Sequence, residues 1–325
     1  MRSFTHINAR TLEEACLLLE KYKGKAVVNA GGTDLLGVLK DEILPDYPKV
    51  VINIKNIPGL DSIIEAERGL TIGSLTKLSD IAGSLLIKTR YPALAEAAYS
   101  VATPQIRNAA TIGGNLCQDV RCWYYRYPSH MGEAIHCARK GSGPCLAVRG
   151  DNRYHAVMGG KRCFAVCPSD TAVALAALDG YVHVSGPEGD RTIAVADFFG
   201  PLANALGPNE IVKAVEVPAL AGATHQRYIK FALRVPVDFA IVSVAAVLSV
   251  ENRICTDARI ALGAVAAGPV RARSAEEMLK GKEITKENAA EAAEAAMSSA
   301  RPLSMNSYKI EISKVLIKRA LLGGG

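Results

Sequence analysis

The sequence predicts an α+β protein of two or three domains, and three observations carry that expectation. Short β-branched runs alternate with helical stretches that open on capping residues. Glycine pairs directly follow two of the apolar segments. A long mid-chain stretch, rich in Cys, Arg, Gly and Tyr, shows neither helical nor strand periodicity. The 325 residues allow sizeable cores, and 49% hydrophobic with 22% charged residues describes an ordinary globular chain, so disordered and fibrous classes are excluded. No apolar run reaches a membrane span. The start, Met1-Arg-Ser-Phe-Thr-His6, has no apolar export core, so a cytoplasmic location is expected.

Thr11-Leu-Glu-Glu14 reads as a capping box, with Leu12, Ala15, Cys16 and Leu19 at helical spacing, which predicts a helix over 11–23 and makes Cys16 a core residue. Lys25–Ala30 and Lys49–Ile54 read as strands, giving a small β–α–β lobe over 1–58. A second lobe is expected over 59–218. In it Leu70–Leu75 reads as a strand, Leu78–Ser100 as helical stretches, Ser169–Leu178 as a helix and Gly180–Val195 as strand–turn–strand. A C-terminal α+β domain is expected over 219–325. Arg227–Ala232, Ala240–Val250 and 258–265 are its strands, and 286–299 and Tyr308–Leu322 its helices. Ser274-Ala-Glu-Glu277 reads as a second capping box, with Gly281 as its helix stop.

Two segments suggest anion binding. Asn29-Ala-Gly-Gly-Thr-Asp-Leu-Leu36 follows a strand, and Thr111-Ile-Gly-Gly-Asn115 repeats the glycine pair beside hydroxyl and amide side chains. Glycines let backbone N–H groups approach a phosphate closely, and two such loops suit a ligand with two phosphates. Neither is a Walker loop or a dinucleotide fingerprint, and a tight turn would explain either one alone.

Six of the eight cysteines fall in residues 117–167: Cys117, Cys122, Cys137, Cys145, Cys163 and Cys167. In a reducing compartment such a group reads as metal ligands or redox groups rather than disulfides. Zinc favours paired knuckles; Cys163-x3-Cys167 offers one, but Cys122, Cys137 and Cys145 supply no close second pair. Thiolates spread through a loop suit a [4Fe-4S] cube. Between Arg121 and Cys163 eight basic residues face only Glu133 and Asp151, so this stretch carries a surplus equal to the whole net charge of +6. Such a surplus offsets an anionic cluster and could steer an acidic electron carrier. Trp123 reads as cover over the thiols, and His130, His136 and His155 as surface or structural residues. No nucleic-acid or membrane partner is expected.

Taken together, Ala30-Gly-Gly-Thr-Asp34, Gln105-Ile-Arg-Asn108, Thr111-Ile-Gly-Gly-Asn115, Lys230-Phe-Ala-Leu-Arg234 and Asp238-Phe-Ala240 resemble the FAD-binding medium subunits of the xanthine oxidase family of molybdenum hydroxylases. The resemblance implies a two-lobed FAD-binding domain of the CO-dehydrogenase flavoprotein (PCMH) type, closed by a C-terminal α+β domain. It implies that Asn29, Ala30, Gly31, Gly32, Thr33, Asp34, Leu35, Leu36, Thr111, Gly113, Gly114 and Asn115 hold the cofactor, with further contacts at Asp119, Asp170 and Lys230. The cysteine insert is similar to that of 4-hydroxybenzoyl-CoA reductase β subunits. Cys122-x14-Cys137-x7-Cys145 fits that pattern and implies a [4Fe-4S] cluster with Cys163 as fourth ligand, Cys167 and then Cys117 being alternatives. The implied partners are a large subunit with the molybdenum cofactor, a small subunit with [2Fe-2S] clusters in a dimer of heterotrimers, and a ferredoxin that feeds electrons inward. Two other readings remain open: a purine or N-heterocycle dehydrogenase that sends electrons outward to a carrier or NAD, and a metal-stapled scaffold.

Overall fold

Residues 5–53 form a small parallel sheet in the order β1-β3-β2, with β1 (Thr5–Asn8), β2 (Ala26–Asn29) and β3 (Val50–Asn53). The computed structural model describes residues 1–132, 135–235 and 237–323; Glu133 of the insert and the last two glycines lie outside the described residues. Helix α1 (Leu12–Tyr22) connects β1 to β2 and buries Leu12, Ala15, Cys16 and Leu19. Its cap forms as the sequence predicts. Thr11 Oγ1 accepts from Glu14 N at 3.1 Å, while the Glu14 carboxylate reaches one residue further back, to Arg10 N at 2.8 Å. Helix α2 (Leu35–Lys40) follows the first glycine loop at once, a helix not expected from the sequence.

The second sheet is antiparallel, in the order β4-β5-β8-β6-β7: β4 (Ile63–Ala66), β5 (Gly69–Gly73), β6 (Tyr181–Gly186), β7 (Gly189–Ala194) and β8 (Ile211–Pro218). Helices α3 (Leu78–Gly83), α4 (Leu85–Arg90) and α5 (Pro92–Tyr99) share its core, the largest in the molecule. Helix α6 (Pro104–Arg107) leads to α7 (Ile112–Cys117), so the second glycine pair lies inside a helical turn rather than a loop. Helix α8 (Asp170–Ala177) is buried along its whole length, and α9 (Val195–Phe198) is a single turn.

The third sheet is antiparallel, in the order β12-β11-β10-β9: β9 (Thr224–Phe231), β10 (Val242–Glu251), β11 (Ile254–Gly263) and β12 (Val270–Arg271). Helices α10 (Arg273–Leu279) and α12 (Tyr308–Leu322) pack on it, and α11 (Lys286–Met297) lays an alanine-rich face on those two helices. The capping box expected at Ser274 does not form. Helix α10 opens after Ala272 with no side-chain cap, and Ser274 Oγ donates to Ala295 O at 2.9 Å. Glu276, the neighbour of the box carboxylate Glu277, turns inward and accepts from Ile260 N at 2.8 Å and Arg271 Nε at 2.7 Å. Gly281 does follow the helix in the left-handed region, at φ +79°. Among the described residues no helix is long and apolar enough to cross a membrane.

Between α7 and α8 the chain runs without regular strands. Three single-turn 3-10 helices, Ser129–Met131, Ala138–Lys140 and Leu146–Val148, and one isolated bridge between Arg121 and Val166 are its only repetitive backbone among the described residues.

Candidate functional site: a glycine-walled cleft beside the cysteine insert

The two glycine loops meet. After β2 the chain turns through Ala30-Gly-Gly-Thr33 into α2, and Gly31 is pressed against the other loop: a Cβ there would stand 2.3 Å from Ala109 O. Gly32 takes φ +74°, which glycine adopts without steric cost. Across from it Gly113 packs on Ser74, where a Cβ would lie 2.8 Å from the Ser74 Cβ. Thr111 Oγ1 accepts from Gly114 N at 3.2 Å and so caps α7. These contacts leave a cleft of about 440 Å³ lined by Ala30, Gly31, Gly32, Thr33, Asp34, Leu35, Thr111, Gly113, Gly114 and Asp119. The first turns of α2 and α7 both line it, so two positive helix ends favour an anion; the α7 amides themselves are already spent, Ile112 N on Thr76 O, Gly113 N on Ser74 O and Gly114 N on Thr111 Oγ1. Phe199, Leu202, Leu206 and Ile211 add an apolar wall. A wall of glycine backbone beside a wall of hydrocarbon fits a dinucleotide with a pyrophosphate and an aromatic ring system. The apolar wall comes from a stretch, 199–211, that carries no motif; its signal was composition alone.

Five of the residues expected at the cofactor do not line this cleft. Asn29 ends β2, and Leu36 is half exposed on α2. Asn115 is buried behind α7, where its Oδ1 accepts from Ser169 Oγ at 2.7 Å and Thr171 Oγ1 at 2.6 Å, tying α7 to α8. Asp170 and Lys230 form a buried ion pair at 2.8 Å. Tyr228 donates to the same carboxylate at 2.6 Å, and Lys230 also donates to Ser100 O at 2.9 Å. Burial, and then the Asp170 charge, push the Tyr228 hydroxyl well above the usual phenol range. This triad braces α8, α5 and β9 behind the site.

Asp34 serves the insert as well as the cleft. Its carboxylate accepts from Arg126 Nη2 at 2.8 and 3.0 Å and from Asp119 N at 2.8 Å, and pairs with Arg121 at 2.9 Å. Asp119 in turn accepts from Tyr125 Oη at 2.5 Å and Val120 N at 2.8 Å, with Arg139 at 3.4 Å. The Arg121 guanidinium lies 4.3 Å from the centre of the Phe239 ring, in cation–π range. Hence Arg121, Arg126 and Arg139 point inward and spend their charge internally. The basic surplus read from the sequence is only partly a surface feature; Arg149, Arg153, Lys161 and Arg162 are its exposed members, and Arg153 pairs with Asp151 at 2.7 Å.

Cys122, Cys137 and Cys163 gather in one small apolar cluster with Val120, Tyr125 and Ala165, closed by Val38 and Ile43 from the α2 segment. Burial is the main reason the Cys122 thiol is pushed up to about 11, and the neighbouring Cys163 and Cys145 add to it. His155 Nε2 lies 3.2 Å from Cys122 Sγ. Burial, then the Lys309 charge, hold the His155 ring down at about 4, so it is neutral. Trp123 covers this ring edge-on at 5.6 Å, together with Tyr124 at 5.9 Å. Cys117 and Cys167 face the cleft instead, and Cys16 and Cys255 are core residues. Among the described residues no three His, Cys, Asp or Glu side chains converge as a single ion would require. An iron–sulfur cube presents its irons at separate corners, so its thiolates stand apart. Three thiols in one apolar cluster, with Cys145 as a neighbour of Cys122 and cations just outside, suit that group better than one zinc ion.

A glycine-walled dinucleotide cleft set between a small parallel sheet and a larger antiparallel one defines a flavoprotein subunit, and this chain belongs to the FAD-binding medium subunits of the xanthine oxidase family of molybdenum hydroxylases. Residues 2–220 match the FAD binding domain in molybdopterin dehydrogenase, and residues 227–323 the CO dehydrogenase flavoprotein C-terminal domain. The chain is 35% identical to the aldehyde oxidoreductase FAD-binding subunit PaoB of Escherichia coli (strain K12), over 97% of this chain and 96% of that one. It is 29% identical to the carbon monoxide dehydrogenase medium chain of Hydrogenophaga pseudoflava, over 98% and 96%. The solved carbon monoxide dehydrogenase of that organism lacking its Mo-pyranopterin moiety superposes with a TM-score of 0.79 at 28% identity, covering 99% of this chain and 96% of that chain. The fold expected from the sequence, an α+β flavoprotein of the CO-dehydrogenase type, is the fold observed.

Proposed function

We propose that this chain is the electron-transfer subunit of a molybdenum-containing oxidoreductase complex, with FAD in the glycine-walled cleft and a [4Fe-4S] cluster on Cys122, Cys137, Cys145 and Cys163. The observation that carries the two-centre reading is the shared support. The thiol cluster packs on the α2 segment, and Asp34, at the start of α2, is the acceptor for Arg121 and Arg126 of the insert. Thr33, Thr111 and the loop backbone at Gly31 and Gly32 would hold the pyrophosphate; Phe199 and Leu206 would pack on the ring system. Bound FAD exchanges one or two electrons and thereby lets single-electron centres serve a two-electron reaction. The partners in this reading are a large molybdenum-cofactor subunit and a small [2Fe-2S] subunit, assembled as a dimer of heterotrimers in the cytoplasm.

An aldehyde-oxidising complex with electrons flowing outward is favoured by the 35% identity to an aldehyde oxidoreductase subunit over nearly the full length of both chains. A second reading, a 4-hydroxybenzoyl-CoA reductase-like complex fed by ferredoxin and serving aromatic degradation, is favoured by the spacing of Cys122, Cys137 and Cys145. The exposed Arg149, Lys161 and Arg162 would be the carrier's landing surface in either case. The test is anaerobic, on the complex purified with its partners. Bleaching of the flavin absorbance by an aromatic or aliphatic aldehyde supports the first reading. No bleaching by aldehydes, with 4-hydroxybenzoyl-CoA consumed in the presence of reduced ferredoxin, replaces it with the second.

A further inference from the structure

The start of α12 grips the far end of the cysteine insert. Met305 N donates to Asn152 Oδ1 at 2.9 Å, and Asn306 Nδ2 donates to His155 O at 3.1 Å and Ala156 O at 3.2 Å. Next to them stands Lys309, with no exposed surface. Its Nζ donates to Ala264 O at 2.5 Å, His155 O at 3.1 Å and Tyr154 O at 3.4 Å. All three acceptors are neutral carbonyls. Ala264 itself is held in the left-handed region at φ +58°, a costly conformation for alanine that aims its carbonyl at the lysine. Burial pulls the Lys309 amine down to about 7, and an amine so placed with only carbonyl partners is a poor stabilising device, because an apolar side chain of similar shape would fill the space without that desolvation. The residue whose carbonyl Lys309 holds is His155, and the His155 ring touches Cys122 Sγ at 3.2 Å through Nε2. Opposite a thiolate, which carries no proton, that contact has to be an Nε2–H donated to sulfur.

We infer that Lys309 and His155 are positioning residues for the redox poise of the centre at Cys122: Lys309 supplies a buried amine that an anionic centre would hold protonated, His155 one N–H···S hydrogen bond. This rests on the cluster reading above. A four-thiolate cluster is anionic and gains a further negative charge on reduction; a nearby cation and a donor to its sulfur both favour the reduced state and raise its reduction potential. The pair thus makes the insert's centre a better electron acceptor than its thiolates alone would.

The experiment is an EPR-monitored redox titration of the anaerobic complex, with the four-iron signal separated from two-iron signals by its faster spin relaxation, alongside iron, sulfide and flavin content. Lys309→Met should shift the midpoint of the insert's cluster to more negative potential while the flavin midpoint stays in place. His155→Leu should shift it in the same direction, and His155→Gln, which keeps an N–H donor, should shift it less. If Lys309→Met does not fold, the two His155 variants still decide. Full iron and sulfide with an unmoved midpoint in Lys309→Met or His155→Leu overturns this inference alone. Absence of any four-iron signal in the unmodified complex overturns the cluster reading and the inference with it.

Discussion

In residues 224–322 helices α10 and α12 pack on a four-stranded antiparallel sheet, the alanine face of α11 packs on both of them, and apolar contact does most of the holding. In residues 117–167 the apolar cluster is small, the backbone is irregular, and the holding is done by charge and hydrogen bonds: Asp34 with Arg121 and Arg126 at one end, Asn306 and Lys309 at the other. The difference is the ground for the proposed cluster. A segment of some fifty residues whose own core is one patch around three thiols gains little by folding unless another group completes that patch. The third sheet needs nothing added.

Substitutions that treat the two regions alike should therefore give unlike results. The largest effect is expected at the thiols. Cys122→Ser should remove most of the iron and acid-labile sulfide from the purified chain. Cys255→Ser, in the third-sheet core, should leave both unchanged and cost about 1–3 kcal/mol of stability in chemical denaturation, since a hydroxyl replaces a buried thiol. Equal iron content in the two variants would erase the contrast. Next comes Gly31→Ala. Its Cβ would stand 2.3 Å from a backbone carbonyl, so the loops must separate; flavin content should fall severalfold and stability by about 1–3 kcal/mol. Flavin bound at full occupancy would show that the loops do not wall the cofactor.

A smaller effect is expected where the two regions' supports join. Arg126→Met leaves Asp34 with Arg121 and the Asp119 amide, so a loss of about 1–3 kcal/mol is expected. It should appear in the protease sensitivity of the insert before it appears in global unfolding. The smallest is Arg234→Ala. Its partner Asp238 lies 2.7 Å away, but the arginine is largely in water, and the change should stay within about 0.5 kcal/mol. A larger loss there would mean that the 231–240 loop is held by more than its own contacts.

The long elements were legible because their apolar period is long: α1, α11, α12 and strand β10 lie where the sequence places them, within a residue or two at most ends. What escaped was short or paid for at a distance. Helices α2 and α7 have six residues each and contain or flank glycines, so local propensity argues against both; neighbouring elements hold them in place. The alternation of Val215 and Val217 marks β8, yet only its place between β5 and β6 makes it a central strand. At Ser274 the box pattern was present, but the helix opens one residue earlier, so Ser274 lies inside it and its hydroxyl donates to Ala295 O, a tertiary contact that replaces the cap. For the site, the glycine pairs and the thiol cluster could be read directly. The double use of Asp34 could not, since Arg126 lies 92 residues further along the chain. Nor could Lys309, which in sequence is one more lysine near the start of an amphipathic helix and in the fold is fully buried.

In the proposed reading the insert is completed by an iron–sulfur cube beside a flavin. Iron, acid-labile sulfide and FAD measured on the chain purified without oxygen test it most directly. About four iron and about four sulfide per FAD are expected from a single cube. Flavin with no iron, or with one zinc and no sulfide, would contradict the account.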